Sequence, residues 1–457
     1  MMPTLRQISL PSVSMLLLAG VLFACGPAPS GAPQDTPPTE PDSAAASPGA
    51  VDPQDLDALR ALPYAGGAGA ADPNLQKVTV FDPQRSFPGY NLVVIEEDCA
   101  AELISPRGKV VHRWEKSPCA HWGHAELLED NTLLVIATEG KVTTERARSA
   151  AAKSDEDEVD DEDAEEAEST PGSSATGRKS RVLMKLNWDG GVLWKRQLRA
   201  HHEMDVLPDG RIAVLTSRRR WDESIHPTAR IHDNRIQLLS ADGEKLESAS
   251  ILDLLRSQPE RFQLQKVEAR EKEDGVESIG LLHCNGLEWL TPSPELAAED
   301  ALYSPDNLLL TCRHQDVVAI IDWPRRELLW AWGQGEISGP HDATLLDNGH
   351  VLLFDNGLGR GWSRVVEIDP RTDEIVWEYR APELYTIARG SSQRLPNGNT
   401  LLAESEDGRA LEVTPDGEVV WEYYSPHVDD DGQRAILPKI RRLAPDRVAQ
   451  LPRGSRS

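Results

Sequence analysis

From about Val78 to Leu443 the chain reads as short runs in which apolar and polar positions alternate, each closed by an Asp-, Asn- or Gly-containing turn. Two kinds of run recur. In the first, a turn leads into a strand that ends on an aromatic, at 106–114, 189–194, 326–332, 372–379 and 416–423, with a degenerate copy at 242–248 that has no aromatic. An apolar strand precedes each turn, such as Val182-Leu-Met-Lys-Leu186, Val365-Val-Glu-Ile368 or Ala410-Leu-Glu-Val413. The pair predicts a β-hairpin, because both arms alternate and the turn has the residues that tight turns need. The second kind of run begins at His124, His202, His341 and Gly390. In all four, Asn or Asp falls seven residues after the first position; Gly follows in three copies and Thr132 in the fourth. This run predicts a second hairpin.

Two hairpins make four strands, the content of one propeller blade. Six such units fill the region, so the predicted fold class is all-β, a six-bladed β-propeller. The long units carry inserts, an acidic run in the second and 257–275 in the third. The first unit keeps only 92–95 and 101–104, and the C-terminal stretch 436–443 is expected to supply its missing strand and close the ring. Closure leaves only short, protected sheet edges. The repeated aromatics Trp194, Trp330, Trp377 and Trp421 are expected to pack as core between neighbouring sheets.

The ends read differently. Arg6 precedes an apolar stretch at 13–24 that is too short to span a bilayer comfortably and stops at Cys25. The run Leu22-Phe-Ala-Cys25-Gly resembles a bacterial lipoprotein cleavage site, which implies lipidation at Cys25 and a periplasmic or cell-surface location. The predicted organisation is a signal peptide at 1–24, a flexible tether at 25–75, the propeller at 76–445 with a disordered acidic insert at about 145–180, and a tail at 446–457. The tether is rich in Pro, Ala, Ser and Asp and buries too little to offset the entropy of ordering. Formal net charge is −27, of which eleven carboxylates fall between Asp155 and Glu168. Such a balance argues against nucleic acid and against membrane contact other than the anchor. Export would let Cys99, Cys119, Cys284 and Cys312 form disulfides; three pairings are possible, and Cys99–Cys119 with Cys284–Cys312 keeps each bridge local.

Turn glycines recur because turns need them, but the opening position of the second hairpin is chemical: His124, His202 and His341 hold it, and His283 aligns with them through Leu287. Equivalent positions on innermost strands surround a propeller's channel, so a ring of four histidines is predicted. Strand alternation puts His283 and Asn285 on one face with Cys284 opposite. Arg313, on the partner strand 308–315, is expected to share a face with Thr311 while His314 points away. Imidazoles, an amide and a guanidinium together suit an anionic tetrahedral group. No metal-binding motif accompanies them and Arg313 would repel a cation, so neither metal nor cofactor is expected. A histidine nucleophile with an ordinary pKa of about 6.5 predicts activity that falls as the pH drops through that value.

The stretches His283-Cys-Asn-Gly, Leu310-Thr-Cys-Arg-His-Gln-Asp-Val-Val-Ala-Ile-Ile-Asp322, Trp332-Gly-Gln-Gly-Glu-Ile-Ser-Gly-Pro-His-Asp-Ala-Thr344 and Leu352-Leu-Phe-Asp-Asn-Gly-Leu-Gly-Arg-Gly-Trp-Ser-Arg364 resemble the PAPS-independent arylsulfate sulfotransferases. The resemblance implies a six-bladed propeller that moves a sulfuryl group from a phenolic sulfate ester to a phenol by ping-pong chemistry. It implies a sulfohistidine on His341, sulfuryl-binding roles for His283, Asn285 and Arg313, and a further channel histidine at His202 in preference to His201. His124 would line the substrate channel. Two other classes fit parts of the pattern. Quinoprotein dehydrogenases share the aromatic repeat but usually need eight blades and a metal-bound quinone. A non-catalytic binding or assembly propeller would share the fold alone.

Overall fold

The computed structural model describes residues 71–140, 180–267, 269–271, 277–429 and 432–452. The leader, Cys25, most of the tether and the acidic run lie outside the described residues. The described strands form six antiparallel-built sheets arranged as six blades. Blade two runs His121–Leu127, Leu133–Glu139, Ser180–Leu186 and Val192–Gln197, from the innermost strand outward. Blade four runs Cys284–Trp289, Asn307–Cys312, Val317–Asp322 and Glu327–Trp332, and blade five runs His341–Leu345, Val351–Asp355, Arg364–Asp369 and Glu374–Tyr379. Blade three is built on Ala200–Val206, Ile212–Arg220, Arg230–Leu239 and Lys245–Ser250, and two short strands from its insert extend it.

Burial follows blade position. Middle strands such as Val351–Asp355 and Val317–Asp322 are buried along their whole length, because another blade covers each face. Outer strands such as Val192–Gln197 return to alternation with the polar face in water.

The two chain ends close the ring at neighbouring blades. Ile440–Leu443 pairs antiparallel with Tyr90–Ile95 and becomes the innermost strand of blade one. Lys77–Phe81 pairs with Val419–Tyr424 as a fifth, outermost strand of blade six.

The repeated aromatics pack in or against the core and also link neighbouring blades. Trp421 is fully buried and Trp330 nearly so, but Trp194 and Trp377 are half-buried on outer strands. Each reaches the outer hairpin of the next blade. The indole N–H of Trp330 donates to Asp373 Oδ1 (2.8 Å), that of Trp377 to Pro415 O (2.9 Å) and that of Trp421 to Pro106 O (2.8 Å). Trp194 covers Gly243, where an added Cβ would lie 3.0 Å from the indole. In blade three the equivalent residue is Glu247, and the latch runs backwards: Trp323 Nε1 (2.8 Å) and Arg326 Nη2 (2.5 Å) of blade four donate to its carboxylate. Trp194 and Trp377 pack against the core from its edge while Trp330 and Trp421 lie within it. Position and turn chemistry make these residues clasps between consecutive blades.

Candidate active site

The innermost strands of all six blades start at one end of the channel, and their register decides which side chains meet there. In blades three, five and six the first hairpin turns on Gly210, Gly349 and Gly398, with φ of +87°, +83° and +88°. In blade two the same corner, closed by the same kind of backbone hydrogen bond, is Asn131 at φ +63°. Asn tolerates the left-handed region and takes the glycine's place. The repeat frame in that blade therefore slides by one residue. Gly123, Asn285 and Gly390 are the equivalents of His202 and His341. His124 belongs to the next tier, with Glu203, Gly286, Asp342, Ser391 and Lys439. The predicted ring of four equivalent histidines is corrected to two stacked tiers of mixed chemistry. Gly390 cannot be a histidine: its φ is +98°, and a Cβ there would lie 2.5 Å from the Phe354 ring.

Strict alternation also fails at the mouth. A bulge interrupts the innermost strands of blades two to five, between Trp122 and His124, opposite Val214–Thr216, between Cys284 and Gly286, and between His341 and Thr344. His202, His283 and Asp342 take positive φ values of 56°, 47° and 52° there. Bulges re-aim side chains at sheet ends, and here they turn His202, Asn285 and His341 toward one space. The strand carrying Arg313 stops at Cys312, and residues Arg313–Gln315 form a 3-10 turn that Asp316 ends at φ +50°. His314 consequently does not point away. Its Nε2 lies 3.2 Å from Arg313 Nη1, and its ring sits 4.6 Å from that of His283.

The resulting cavity, about 60 Å³, is lined by His124, His202, Asn285, His341 and Arg389 with three carboxylates and Lys439. The rings of His202 and His283 are 5.0 Å apart. His201 is buried beside His202, at 4.9 Å between rings; it does not line the cavity, and neither do His283 and Arg313, which sit behind His202 and Asn285. Asn285 donates one amide N–H to Pro340 O (3.1 Å), which leaves a second N–H on the same nitrogen. His341 is the most constrained. Its Nδ1 lies 2.8 Å from Asn356 Oδ1 and 3.0 Å from Gly339 O, and its Nε2 accepts the backbone N–H of Arg389 at 3.2 Å. Burial, and then the nearby Arg313 guanidinium, push the His341 pKa down to about 3. His283 is held well below its ordinary value by burial and by His314, His202 and Arg313. These two imidazoles are neutral at neutral pH, and the positive charge around the cavity includes the Arg389 guanidinium and the Lys439 ammonium.

Below the mouth the channel is crossed by a charged belt. His124 Nε2 lies 3.1 Å from Glu203 Oε1, Lys439 Nζ bridges Glu203 (2.5 Å) and Asp342 (3.0 Å), and Arg441 Nη2 holds Asp342 (2.7 Å). Burial and the two cations keep His124 neutral. Past the belt lies a second cavity of about 310 Å³ carrying Glu126, Asp205 and Glu288. Two of these carboxylates staple neighbouring blades: Asp205 accepts Trp289 N–H (2.6 Å) and Glu288 accepts Leu345 N–H (2.8 Å). Burial, with like charge nearby, pushes Glu126 and Glu288 up to about 8.

The cysteines pair as Cys99–Cys119 and Cys284–Cys312. The second bridge joins the two innermost strands of blade four between His283 and Arg313, and Arg313 N–H also donates to His283 O (3.0 Å). Two residues at the site lie outside the hairpin frame that marks the histidines. Arg389 arrives on the segment between blades five and six, with Nη2 2.8 Å from Glu96 Oε1. Asn356 lies inside the Leu352-to-Arg364 motif, and the Asn-Gly turn it opens was the available clue.

The fold and site define an all-β, six-bladed propeller whose channel mouth gathers imidazoles, an amide, a guanidinium, an ammonium and three carboxylates. The chain belongs to the arylsulfotransferase (ASST) family, whose family model matches residues 179–425, just over half of its length. Membership implies sulfuryl transfer with aryl sulfates and phenols as the substrate classes. No curated protein sequence matches the chain. Similar solved structures include a protein of unknown function from Bacteroides caccae (14% identity, 77% of this chain and 98% of that one, TM-score 0.43). A streptogramin B lyase aligns at 12% identity (80% and 91%, TM-score 0.39). The WD40 propeller domain of Doa1 also aligns at 12% identity (81% and 95%, TM-score 0.38).

Proposed function

We propose that the protein is a PAPS-independent arylsulfate sulfotransferase that works through a sulfohistidine on His341. The observation that carries this reading is the pair of acceptors at His341 Nδ1, which place the ring proton there and leave Nε2 unprotonated, its lone pair resting on the Arg389 N–H until a donor displaces it. In the first half-reaction the Arg389 N–H gives way, Nε2 attacks sulfur, the N–S bond forms and the O–S bond to the donor breaks, and the departing phenolate takes a proton from His202, which enters the step as imidazolium and leaves it neutral. In the second, His202 takes the proton of the acceptor phenol, whose oxygen attacks sulfur as the N–S bond breaks. The Nδ1 proton stays on its two acceptors throughout, so the imidazole leaves as a neutral group. Arg313, His283 and the remaining N–H of Asn285 hold the sulfuryl oxygens, where each such donor is typically worth about 3–4 kcal/mol to the transition state. His124, tied to Glu203 in the belt below, lines the channel.

The test follows nitrophenolate release from 4-nitrophenyl sulfate with and without excess phenol. Phenol-dependent release that is lost in His341→Ala and falls roughly 100-fold or more in Arg313→Lys is the expected result, because a point charge cannot replace a two-pronged donor. Wild-type turnover in His341→Ala would sink the reading. Ring size also bears on the quinoprotein alternative, since those propellers usually have eight blades and this one has six.

The chain is further proposed to be exported and lipid-anchored at Cys25, on the support of the apolar leader and the Leu-Phe-Ala-Cys run. Its two disulfides fit an oxidising compartment. Labelled palmitate is expected to enter the full-length chain in a bacterial host and not its Cys25→Ser variant; equal labelling of both would overturn the assignment.

A further inference from the structure

Asn356 follows the second strand of blade five and is completely buried. Its amide nitrogen donates to two backbone carbonyls, Thr386 O at 2.9 Å and Arg389 O at 2.8 Å. Carbonyls can only accept, so both amide hydrogens are committed and the assignment of Oδ1 and Nδ2 is forced. Oδ1 then has one direction left, toward His341 Nδ1 at 2.8 Å. The Arg389 N–H aimed at Nε2 from the other side of the ring agrees, since it can rest only on an unprotonated nitrogen. A single side chain thereby grips both the imidazole and the segment that carries the Nε2 donor.

The surroundings hold this bracket rigid. Asp355, also completely buried, accepts from Ser338 N–H (2.9 Å), Arg360 (2.7 Å) and Arg364 (2.8 Å). Ser363 Oγ donates to Asn356 O (2.8 Å) and accepts Thr386 N–H (3.1 Å). Gly357 makes the corner possible: at φ +70° a Cβ would lie 2.0 Å from Trp362 O.

We propose that Asn356 is the positioning residue of the nucleophile, fixing His341 in its Nδ1–H tautomer and docking the 386–389 segment against Nε2. The inference rests on His341 as the nucleophile, but one of its readouts does not need turnover. Partners that orient a histidine are typically worth roughly 10–100-fold in activity.

The experiment uses protein with ¹⁵N-labelled histidine, with the His341 ring signals assigned by their loss in His341→Gln. In the wild type the signals are expected to show Nδ1 protonated and Nε2 bare at neutral pH. Asn356→Leu, which removes the nearer of the two Nδ1 acceptors and leaves only Gly339 O, is expected to give a tautomer mixture and a kcat roughly 10–100-fold lower with KM nearly unchanged. Asn356→Asp keeps an acceptor but adds charge, and is expected to keep the tautomer and raise the His341 protonation midpoint by about one pH unit, a tenfold gain in proton affinity. Wild-type tautomer, midpoint and kcat in folded forms of both variants would overturn the proposal. Should neither variant fold, the wild-type spectrum decides, and an Nε2–H ring there overturns it. If the wild type shows the expected tautomer but transfers no sulfuryl group, the functional reading fails and the positioning role stands.

Discussion

At the scale of single residues, environment moves the titrations far from where side-chain type alone would put them. An ordinary histidine would lose its nucleophilic form below a pH of about 6.5, but burial and Arg313 shift that loss in His341 to about 3. The form that attacks is neutral, so kcat/KM is expected to stay level from neutrality to about pH 4 and to fall only as the pH approaches 3. Initial rates measured before unfolding check this, and an acid limb centred near 6.5 would show His341 to be solvated. The order of measurement matters. His124, His283 and His341 are all held neutral in the fold. The unfolded chain binds protons that the folded one refuses below about 6.5, and stability falls as the pH drops through that window. The lower cavity has the opposite sign. Glu126 and Glu288 stay protonated up to about 8 in the fold, while unfolded glutamates ionise near 4.3. Stability therefore declines as the pH rises across that interval. Glu126→Gln and Glu288→Gln are expected to raise the melting temperature at pH 9 and leave it little changed at pH 4; a loss of stability at pH 9 would refute the buried-acid account.

At the scale of strands and hairpins, the indole clasps allow a sharper comparison. Trp377 is half-buried, so removing its N–H leaves Pro415 O within reach of water. Trp377→Phe is expected to cost no more than about 1 kcal/mol, and Trp421→Phe, at a fully buried site, roughly 2–3 kcal/mol. Chemical denaturation reads both, and equal losses would mean that burial is not what sets the clasp's strength. This is also where the sequence was least legible. Hairpins and their order could be read directly, because alternation and turn residues are local signals. The slide in blade two could not, because Asn131 fills a left-handed corner that glycine marks in the other blades. Bulges left no mark either, although they aim the histidines, and the strand drawn through His314 is a turn. Arg389 and Asn356 join His341 only through contacts between residues 341, 356 and 389, distances that no local pattern encodes. The fold was thus readable almost strand by strand, whereas the site was readable as a set of residues without its orientation.

At the scale of the whole molecule, clasps link blade two to three and so on round to blade one, and the strands Lys77–Phe81 and Ile440–Leu443 shut the ring. The last innermost strand is also the one that carries Lys439 and Arg441, the partners of Glu203 and Asp342 across the channel. Those acids precede their cations by 236 and 99 residues, respectively. A chain made from its amino end therefore exposes the negative half of its belt long before the positive half exists. Until the final two dozen residues emerge, blade one lacks its inner strand and the partition under the mouth is a set of unbalanced carboxylates that repel one another. Closure of blade one and balance of the belt become one event, so a fragment cut before Lys439 would have neither.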